Sequence, residues 1–324
     1  MQKIPNVRDL KNILVLRGEG SLGDALISSC CYRELKKANP NIKITVVCFG
    51  SAVGYLRAIK YIDEIYPLPI RRVLRPHQHW VSLLWHALRL RRRHFDLVLD
   101  SSEKPYKNWT LFKRIIGGDK VLDCYTSPVP LGKVPGRRNE HEQAILRQLG
   151  VENPSRSYDL PFSPQHRSRR DDFVQKHAPQ GYAVLNLFGS VEARSLNKSS
   201  FLRIAPDLAS RTGLAIIIPC MPSQKERVAD YVSACADKQA LFVYPTRDVF
   251  DLFALIEGAQ LVVTPDTAVA HVASGFGKKS VIFYNTYSMY NDPDNPSARI
   301  IKTDVSSVNL FPYQEFLHAL DSLL

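Results

Sequence analysis

The stretch VLRGEGSLGDALIS, residues 15–28, places Gly18, Gly20 and Gly23 in the spacing Gly-x-Gly-x-x-Gly. It follows a short apolar run and leads into a pattern typical of an amphipathic helix. A glycine turn between a buried strand and a helix is the arrangement with which Rossmann-like domains bind dinucleotides. The stretch therefore predicts the first strand, turn and helix of an α/β domain, with Asp24 directly after the last glycine.

The second part of a dinucleotide site is missing from the sequence. Such a site needs an acidic residue about 20 residues further on, at the end of the second strand, to hold a ribose. Here that strand ends in Cys48 and is followed by Phe49, Gly50 and Ser51. The sequence therefore disfavours an NAD(P)- or FAD-linked oxidoreductase, an alternative that the absence of nicotinamide binding would close.

Short β-branched runs alternate with amphipathic stretches along the whole chain. The predicted strands are residues 12–16, 42–48, 63–68, 96–100, 120–124, 182–188, 214–219, 240–244, 260–265 and 279–284. The predicted helices are residues 24–38, 52–60, 80–93, 107–116, 199–211, 222–236, 248–258 and 267–276. Near-continuous apolar strands separated by helices indicate parallel sheets that are covered on both faces.

A segment rich in proline, serine and charge, residues 151–170, interrupts this alternation and is typical of an interdomain linker. We therefore predict two doubly wound domains, residues 1–160 and 161–324. They are expected to face one another across a cleft at the carboxyl ends of their strands, where open α/β sheets bind ligands. The last residues predict an amphipathic helix over about 312–324, which could pack back on the first domain.

The chain carries 43 Lys and Arg against 31 Asp and Glu, a formal charge of +12 that favours anionic partners. No helix-turn-helix, RNP or zinc-finger pattern accompanies this charge, so we expect no nucleic-acid partner. The six cysteines form no C-x-x-C pair, and the histidines lack accompanying carboxylates or cysteines, so we expect reduced thiols and no metal. Without a leader-like segment or a run of about 18 apolar residues, the sequence predicts a cytoplasmic location.

Asp24 opens the first predicted helix at the edge of the sheet where ligands bind. There it can cap the N–H groups of the helix, which is a structural role. It can also act as a general base toward a hydroxyl held in the cleft, because a positioned carboxylate accepts the proton of an attacking hydroxyl. The glycines beside it allow a substrate to approach the backbone closely. These residues alone leave both roles open.

A second candidate site lies in VVTPDTAVAHVASGFG, residues 262–277, where a buried strand ends and a helix begins at once. Thr267 and the free amide of Ala268 form a helix N-terminus, which favours phosphate through its N–H groups and macrodipole. Asp266 would repel phosphate but suits sugar hydroxyls, and His271 lies one turn into the helix on the same side as Thr267. A helix cap at Asp266 and a packed histidine are the structural alternatives.

Together these motifs resemble those of glycosyltransferase family 9, the bacterial ADP-heptose:lipopolysaccharide heptosyltransferases. The family's S-x-G-D motif corresponds to residues 21–24, SLGD, and its D-T-G/A-x-x-H-x-A motif corresponds to residues 266–273, DTAVAHVA. The small-residue turn and basic residue of 189–194 match more loosely, and the run 141–150 also resembles the family. These matches follow the family order along the whole chain.

The resemblance implies the GT-B fold, with the acceptor bound by the first Rossmann-like domain and the nucleotide sugar by the second. It implies an inverting transfer of heptose from ADP-heptose to a lipopolysaccharide or lipooligosaccharide core acceptor, without a metal or other cofactor. Asp24 would be the catalytic base, while Ser21 and Gly23 would shape the junction of donor and acceptor. The residues expected to bind the donor are Ser190, Arg194, Lys198, Asp266, Thr267, Ala268 and His271.

Within that set, the resemblance gives each group a task. Arg194, Ser190 and the helix end at Thr267 and Ala268 would stabilise the charge that develops on the leaving ADP. Asp266 would hold heptose hydroxyls. His271 would support that carboxylate or contact the diphosphate.

The sequence departs from the family pattern at three positions. Ala268 stands where the family usually has glycine, but it still offers its N–H. Arg194 stands where the family often has lysine, and arginine can bind phosphate in a bidentate way. The common tryptophan after it is replaced by Leu196-Asn197, which makes Lys198 a rival phosphate ligand. These changes bear on the identity of the donor more than on the class of reaction.

The segment 70–95 contains seven arginines, four histidines and no acidic residue, with an apolar stripe at helical spacing. A basic amphipathic helix is typical of peripheral binding to an anionic membrane, here the inner-leaflet surface that would carry a phosphorylated lipid-linked acceptor. A core-facing helix with a solvated basic face is the alternative. Arg57 and Lys60 are further candidates for binding the acceptor phosphate.

Two alternatives keep the fold and change the function. One is the same mechanism with another sugar nucleotide or acceptor. The other is a non-catalytic protein that binds sugar nucleotides or lipopolysaccharide, which the presence of Asp24 disfavours.

Overall fold

A computed structural model gives the structure of the protein. It describes residues 4–17, 20–68, 76–100, 107–117, 121–123, 138–285, 292–304 and 306–324, with the backbone alone for 76–80, 107–109 and 123. The chain forms two compact units, residues 1–159 and 160–324. The sequence analysis placed this boundary one residue further along the chain.

The first unit is built on a parallel sheet with the strand order β3-β2-β1-β4-β5. Its described strands are β1 (Asn12–Leu16), β2 (Lys43–Cys48), β3 (Glu64–Pro67), β4 (Leu97–Asp100) and β5 (Val121–Asp123). Its described helices are α1 (Leu22–Ile27), α2 (Ser29–Ala38), α3 (Ala52–Arg57), α4 (Pro76–Arg91), α5 (Lys107–Gly117) and α6 (Arg138–Gln148).

The second unit is built on a parallel sheet with the strand order β11-β10-β9-β6-β7-β8. Its described strands are β6 (Tyr182–Leu185), β7 (Ala215–Cys220), β8 (Leu241–Pro245), β9 (Leu261–Pro265), β10 (Lys279–Tyr284) and β11 (Ala298–Lys302). Its described helices are α7 (Pro164–His177), α8 (Lys198–Thr212), α9 (Lys225–Ser233), α10 (Val249–Gly258), α11 (Ala268–Gly275) and α12 (Tyr313–Asp321).

Both sheets are doubly wound, as the sequence predicts. In β2 and β9, buried residues follow one another without alternation, the pattern of strands covered on both faces. In each unit the chain first builds outward to one side of β1 or β6 and later returns to the other side at β4 or β9. Ligands bind outside the carboxyl ends of the strands at such a reversal. The segments that follow β1, β6 and β9 are therefore the places where a site is expected.

Each unit has its own apolar core. Leu14 and Leu16 of β1 pack with Leu83, Ala87 and Leu90 of α4 in the first unit. In the second unit, Phe283 of β10 packs with Phe316 and Leu320 of the terminal helix α12. The buried face of that helix thus belongs to the core of the second unit, whereas the sequence analysis had allowed it to return to the first.

The helix predicted over 24–38 requires correction, because it is divided at Ser28 into α1 and α2. The side chain of Ser28 is buried and donates to Glu142 Oε1 at 2.5 Å. A partner more than a hundred residues away in the chain leaves no local sequence signal at this position.

The linker predicted over 151–170 is also too long, since α7 begins at Pro164. The His166 ring accepts the backbone N–H of Ser163 at 3.1 Å, and proline is favourable at the first helical position. Helices α6 and α7 and strand β11 were not predicted from the sequence. None of the helices in the described ranges combines the length and hydropathy that a bilayer crossing requires.

Candidate active site

The glycine turn after β1 packs against the turn that follows β2. A Cβ on Gly20 would lie 2.6 Å from the Phe49 ring, and the carbonyl of Gly20 accepts the Ala52 N–H at 3.3 Å and the Ser51 hydroxyl at 3.1 Å. Gly50 adopts a φ of +67° against this carbonyl, in a region that favours glycine. The turn after β2 thus packs against Gly20 at the position where a dinucleotide enzyme would carry its acid. Gly18 lies outside the described residues.

Asp24 stands in the first turn of α1 with a side chain that is 22% exposed. Ser21 caps this helix, because its hydroxyl oxygen accepts the Asp24 N–H at 3.2 Å. The same hydroxyl donates to Asp24 Oδ2. Ser21 is therefore the residue that caps the helix. It also orients the Asp24 carboxylate, which does not serve as the cap.

Arg138, the first residue of α6, holds the other carboxylate oxygen. Its Nη1 donates to Asp24 Oδ1 at 2.6 Å, and its side chain is only 2% exposed. An ion pair of which one member is buried is held in a defined geometry, and removing one partner leaves an uncompensated charge. Both oxygens of Asp24 are thus oriented from the protein side.

A second buried arginine fixes the backbone of the same turn. Arg17, directly after β1, donates through Nη2 to the Asp24 carbonyl at 2.7 Å. Its Nη1 lies 3.4 Å from Glu142 Oε1 and also donates to the Ser28 hydroxyl. Glu142 in turn accepts the Cys31 thiol at 3.0 Å through Oε2. A buried network of opposite charges therefore connects α1, α2 and α6 around Asp24.

This network was missed by the sequence analysis. Arg17 lies inside the quoted opening stretch, but a basic residue after a strand is commonplace. Arg138 and Glu142 belong to α6, which was not predicted as a helix, although the run 141–150 was noted for its resemblance. Their spacing of four residues, which places both side chains on one helix face, is the signal that could have identified them.

In the second unit, the segment between β6 and α8 forms a closed turn. The Leu196 N–H donates to the Leu187 carbonyl at 2.7 Å, and the Gly189 N–H donates to the Ser195 hydroxyl at 3.1 Å. A Cβ on Gly189 would lie 2.5 Å from the carbonyl oxygen of Arg194. Only glycine therefore allows this turn to close and to fix the position of Arg194.

Arg194 and Asp266, predicted separately from two motifs, are brought together. Arg194 Nη1 lies 3.4 Å from Asp266 Oδ2, and the two side chains are 39% and 10% exposed. A guanidinium has five N–H donors, so an arginine that contacts one carboxylate oxygen keeps donors for an anion. The exposed member of the pair is the cation, which can meet a phosphate from solvent.

The N-terminus of α11 lies next to this pair in sequence. Thr267 caps it, accepting the Val269 N–H at 3.2 Å. Asn186, which follows β6, donates to the Thr264 hydroxyl at 2.9 Å and to the Thr267 hydroxyl at 3.2 Å. The carboxyl ends of β6 and β9 are thus joined at the helix start by an amide that the sequence analysis did not select.

The remaining predicted donor residues have different surroundings. His271 is buried inside α11, Ala268 is half-buried at its start, and Ser190 is exposed. Lys198 forms an ion pair with Asp230 of α9 at 2.7 Å, with both side chains exposed. Their roles toward a donor stay predictions, and so does that of Arg194.

The departure at 196–197 has a local explanation. Leu196 is fully buried in the core of the second unit, whereas Asn197 caps α8 by accepting the Ser200 N–H at 2.8 Å. Asn197 also donates its backbone N–H to Asn309 at 2.8 Å. These two residues therefore stabilise the turn that carries Arg194.

The predicted acceptor and junction residues all lie in the first unit. Ser21 is exposed beside Asp24, and Gly23 is half-buried inside α1. Arg57 and Lys60 are exposed at the end of α3 and just after it. Their contacts with an acceptor stay predictions.

One group of potential metal ligands occurs in the described part of the chain. His166, Asp248 and Asp251 bring one ligand atom each within 4.8 Å of one another. Asp248 caps α10, and Asp251 forms an ion pair with Arg169. These carboxylates already serve the packing of α7 on α10.

Comparisons with known proteins identify the family of this chain. The model of glycosyltransferase family 9 (heptosyltransferase) matches residues 139–315. The curated lipopolysaccharide heptosyltransferase 3 of Escherichia coli is 21% identical over 290 residues, which cover 82% of this chain and 84% of that protein.

Two solved structures are similar over nearly the whole chain. The family 9 glycosyltransferase of Veillonella parvula has a TM-score of 0.78 at 18% identity and covers 97% of each chain. The E. coli heptosyltransferase WaaC with ADP-2-deoxy-2-fluoro heptose has a TM-score of 0.71 at 17% identity, covering 97% of this chain and 100% of that one. These likenesses confirm the predicted GT-B fold. The family model matches more than half of the residues of this chain, and the chain therefore belongs to glycosyltransferase family 9.

Proposed function

We propose that this glycosyltransferase moves heptose from ADP-heptose to a sugar of the lipopolysaccharide core, with inversion and without a metal. The names of its relatives support this choice. The curated E. coli relative is a lipopolysaccharide heptosyltransferase, and WaaC was solved with an ADP-heptose analogue.

The observation that carries the proposal is the setting of Asp24. A general base must be ionised, oriented and open to its substrate. Asp24 is paired with Arg138, directed by Ser21 and 22% exposed. The exposed part of the side chain is where an acceptor hydroxyl can approach the carboxylate.

The second unit supplies the groups suited to the donor. Arg194 is the exposed cation of its pair with Asp266, and the N-terminus of α11 begins one residue after Thr267. Positive charge and free N–H groups stabilise the negative charge that develops on a leaving diphosphate. Asp266 offers carboxylate oxygens to sugar hydroxyls.

The proposed step balances as a single displacement. The acceptor hydroxyl gives its proton to Asp24, and its oxygen forms a bond to the anomeric carbon. The bond between that carbon and the diphosphate oxygen breaks with its electron pair on ADP. Attack opposite the leaving group inverts the anomeric centre.

The proposed acceptor carries phosphate groups and is attached to lipid. A phosphorylated, lipid-linked core oligosaccharide would place the enzyme at the cytoplasmic surface of the inner membrane as a peripheral protein. Arg57 and Lys60 are exposed cations of the first unit that could meet its phosphate groups.

The donor is tested by titration calorimetry of the purified protein with ADP-heptose, with UDP-glucose, GDP-mannose and NAD as controls. We expect selective binding of ADP-heptose. Preference for another sugar nucleotide would keep the fold and the base but discard the heptosyl assignment. Ala268 and the Leu196-Asn197 departure would then be the first positions to examine. Binding of NAD alone would overturn the proposal.

The base is tested with Asp24→Asn, which keeps the size of the side chain and removes its basicity. Turnover is expected to fall about 100- to 10,000-fold, the usual contribution of a general base, while donor affinity stays unchanged. Asp237→Asn, at an exposed position of the second unit, is the matched control and should keep full turnover. Full turnover of Asp24→Asn would show that another group accepts the proton.

A further inference from the structure

Helix α4 carries apolar residues on two opposite faces. Its inner face buries Leu83, Ala87 and Leu90 in the core of the first unit. The spacing i, i+4, i+7 places a second stripe on its outer face, where Val81, Trp85 and Leu88 are 61%, 53% and 45% exposed. Packing among the described residues accounts for the inner stripe only.

The neighbouring helix adds a further exposed apolar side chain. Helix α5 packs against α4 and exposes Leu111 to 57%. Arg91 of α4 donates to the Ile115 carbonyl of α5 at 3.1 Å, which ties the two helices together. We call these exposed side chains the α4–α5 face: Val81, Trp85, Leu88 and Leu111. They are half of the eight large apolar side chains that the described residues expose.

Exposed arginines lie within a few residues of the α4–α5 face along both helices. Arg89 stacks over the Trp85 ring at 5.3 Å and is exposed, as are Arg91, Arg92 and Arg114. Arg93, by contrast, is engaged by Glu64 at 2.5 Å. Because the sequence from 70 to 95 holds no acidic residue, the positive charge of the exposed arginines is not compensated along α4.

We propose that the α4–α5 face binds the surface of an anionic lipid bilayer. Tryptophan and aliphatic side chains enter the boundary between headgroups and acyl chains, where an amphipathic surface buries its apolar face. The arginines around them bind the phosphates of anionic headgroups. A bilayer offers both kinds of contact at adjacent depths, which matches an apolar stripe bordered by cations. The inference deepens the proposed function and rests on it for the lipid-linked acceptor.

The test is co-sedimentation of the full chain with vesicles of phosphatidylcholine, with and without phosphatidylglycerol, in the absence of donor and acceptor. The native protein is expected to bind only the vesicles that contain phosphatidylglycerol. The double variant Arg89→Gln/Arg92→Gln should bind about 25-fold more weakly, about fivefold for each arginine. Trp85→Ser/Leu88→Ser should lose binding at least tenfold, since both side chains lose apolar burial in the bilayer.

Matched controls come from exposed positions of the second unit. Lys225→Gln/Lys238→Gln removes the same charge, and Met221→Ser/Leu310→Ser removes exposed apolar side chains of 51% and 61% exposure. Both controls should bind vesicles like the native protein. The substituted α4 side chains are exposed, so thermal unfolding should be unchanged in all variants.

Three results would overturn the inference: a native protein that ignores anionic vesicles, controls that lose binding as strongly as the α4 variants, or a Trp85→Ser/Leu88→Ser variant that binds normally. The last would mean that charge alone attracts the protein to lipid. Transfer to a short water-soluble acceptor separates this inference from the proposed function. The α4 variants should transfer at the native rate in solution, whereas loss of transfer by the native protein would refute the function and leave the vesicle result standing.

Discussion

At the scale of single residues, Asp24 is oriented before any substrate binds. Ser21 donates to one carboxylate oxygen and Arg138 to the other, while Arg17 holds the backbone carbonyl. Orientation of a reacting group lowers the entropic cost of the step. The geometry therefore places the carboxylate for the reaction before the acceptor arrives.

The role of Arg138 can be read from turnover. In Arg138→Gln, the Asp24 carboxylate loses the charged donor that lies 2.6 Å from Oδ1. Because a less well-oriented base is less effective, kcat should fall at least tenfold, as measured by steady-state kinetics, while donor affinity stays unchanged. Arg138→Lys, which keeps a charged donor, should retain more of the native kcat.

A matched control separates this effect from a general loss of structure. Arg33, another nearly buried arginine of the first unit, pairs with Asp159 at 2.8 Å. Arg33→Gln should lower stability without lowering kcat. An unchanged kcat in a folded Arg138→Gln variant would show that the pair with Asp24 is only structural.

At the scale of elements, the candidate residues lie where strands of the two sheets end. The turn after β1 leads to Asp24, the turn after β6 leads to Arg194, and β9 ends at Asp266. Short backbone closures fix these turns, notably the bond of 2.7 Å from the Leu196 N–H to the Leu187 carbonyl. The position of Arg194 therefore depends on the backbone of its turn as much as on its own side chain.

Substitution of Gly189 tests this dependence. In Gly189→Ala the new Cβ would meet backbone atoms of Arg194 at 2.5 Å, so the turn must open and displace the guanidinium. Donor affinity should fall at least tenfold, and unfolding should become easier by about 1–3 kcal/mol, as in overpacked sites. Calorimetric titration with ADP-heptose and chemical denaturation measure the two effects.

Gly54 is the contrasting position. It lies inside α3, and a Cβ there would meet nothing within 4 Å. Gly54→Ala should stabilise the protein by up to about 1 kcal/mol, because alanine costs less backbone entropy in a helix. Donor affinity should not change. Equal donor affinities of Gly189→Ala and Gly54→Ala would contradict the proposed role of the turn.

At the scale of the whole molecule, each unit is closed around its own core. The five cysteines in the described residues are all buried: Cys30, Cys31, Cys48, Cys220 and Cys235. Burial raises the pKa of Cys48 from 9.0 to about 11 and also raises that of Cys220. For Cys31, a hydrogen bond with Cys30, burial and the charge of Glu142 raise the pKa.

Thiol labelling should therefore report unfolding. In a Cys124→Ser variant, no thiol should react at neutral pH before the protein unfolds, because the thiolate is the reactive form and these groups are buried. For Cys48 the raised pKa alone lowers the thiolate fraction about a hundredfold. Mass spectrometry of labelled peptides then identifies the unit that opens first. Stoichiometric labelling of the folded Cys124→Ser variant would contradict the burial of these thiols.

The pattern of strands and helices could be read from the sequence because it depends on local periodicity. Runs such as 42–48 and 260–265 are nearly continuously apolar, which is typical of strands covered on both faces. The division of the predicted helix at Ser28 could not be read in this way, because it accompanies a hydrogen bond from Ser28 to the distant Glu142. Helix α6 was missed because its buried residues include Arg138, Asn139, His141 and Glu142, and buried charge does not read as an apolar face.

The sequence by itself determined two doubly wound parallel-sheet domains and the chemistry-bearing segments after their strands, because buried strands and glycine turns have local signatures. Only the tertiary structure decided what surrounds these segments. In the folded chain Arg138 pairs with Asp24, Arg194 with Asp266, and Lys198 with Asp230. Phe49 packs against Gly20. Such contacts join residues that are distant in the chain. Their partners are selected by packing and by the need to compensate buried charge, neither of which a stretch of sequence records.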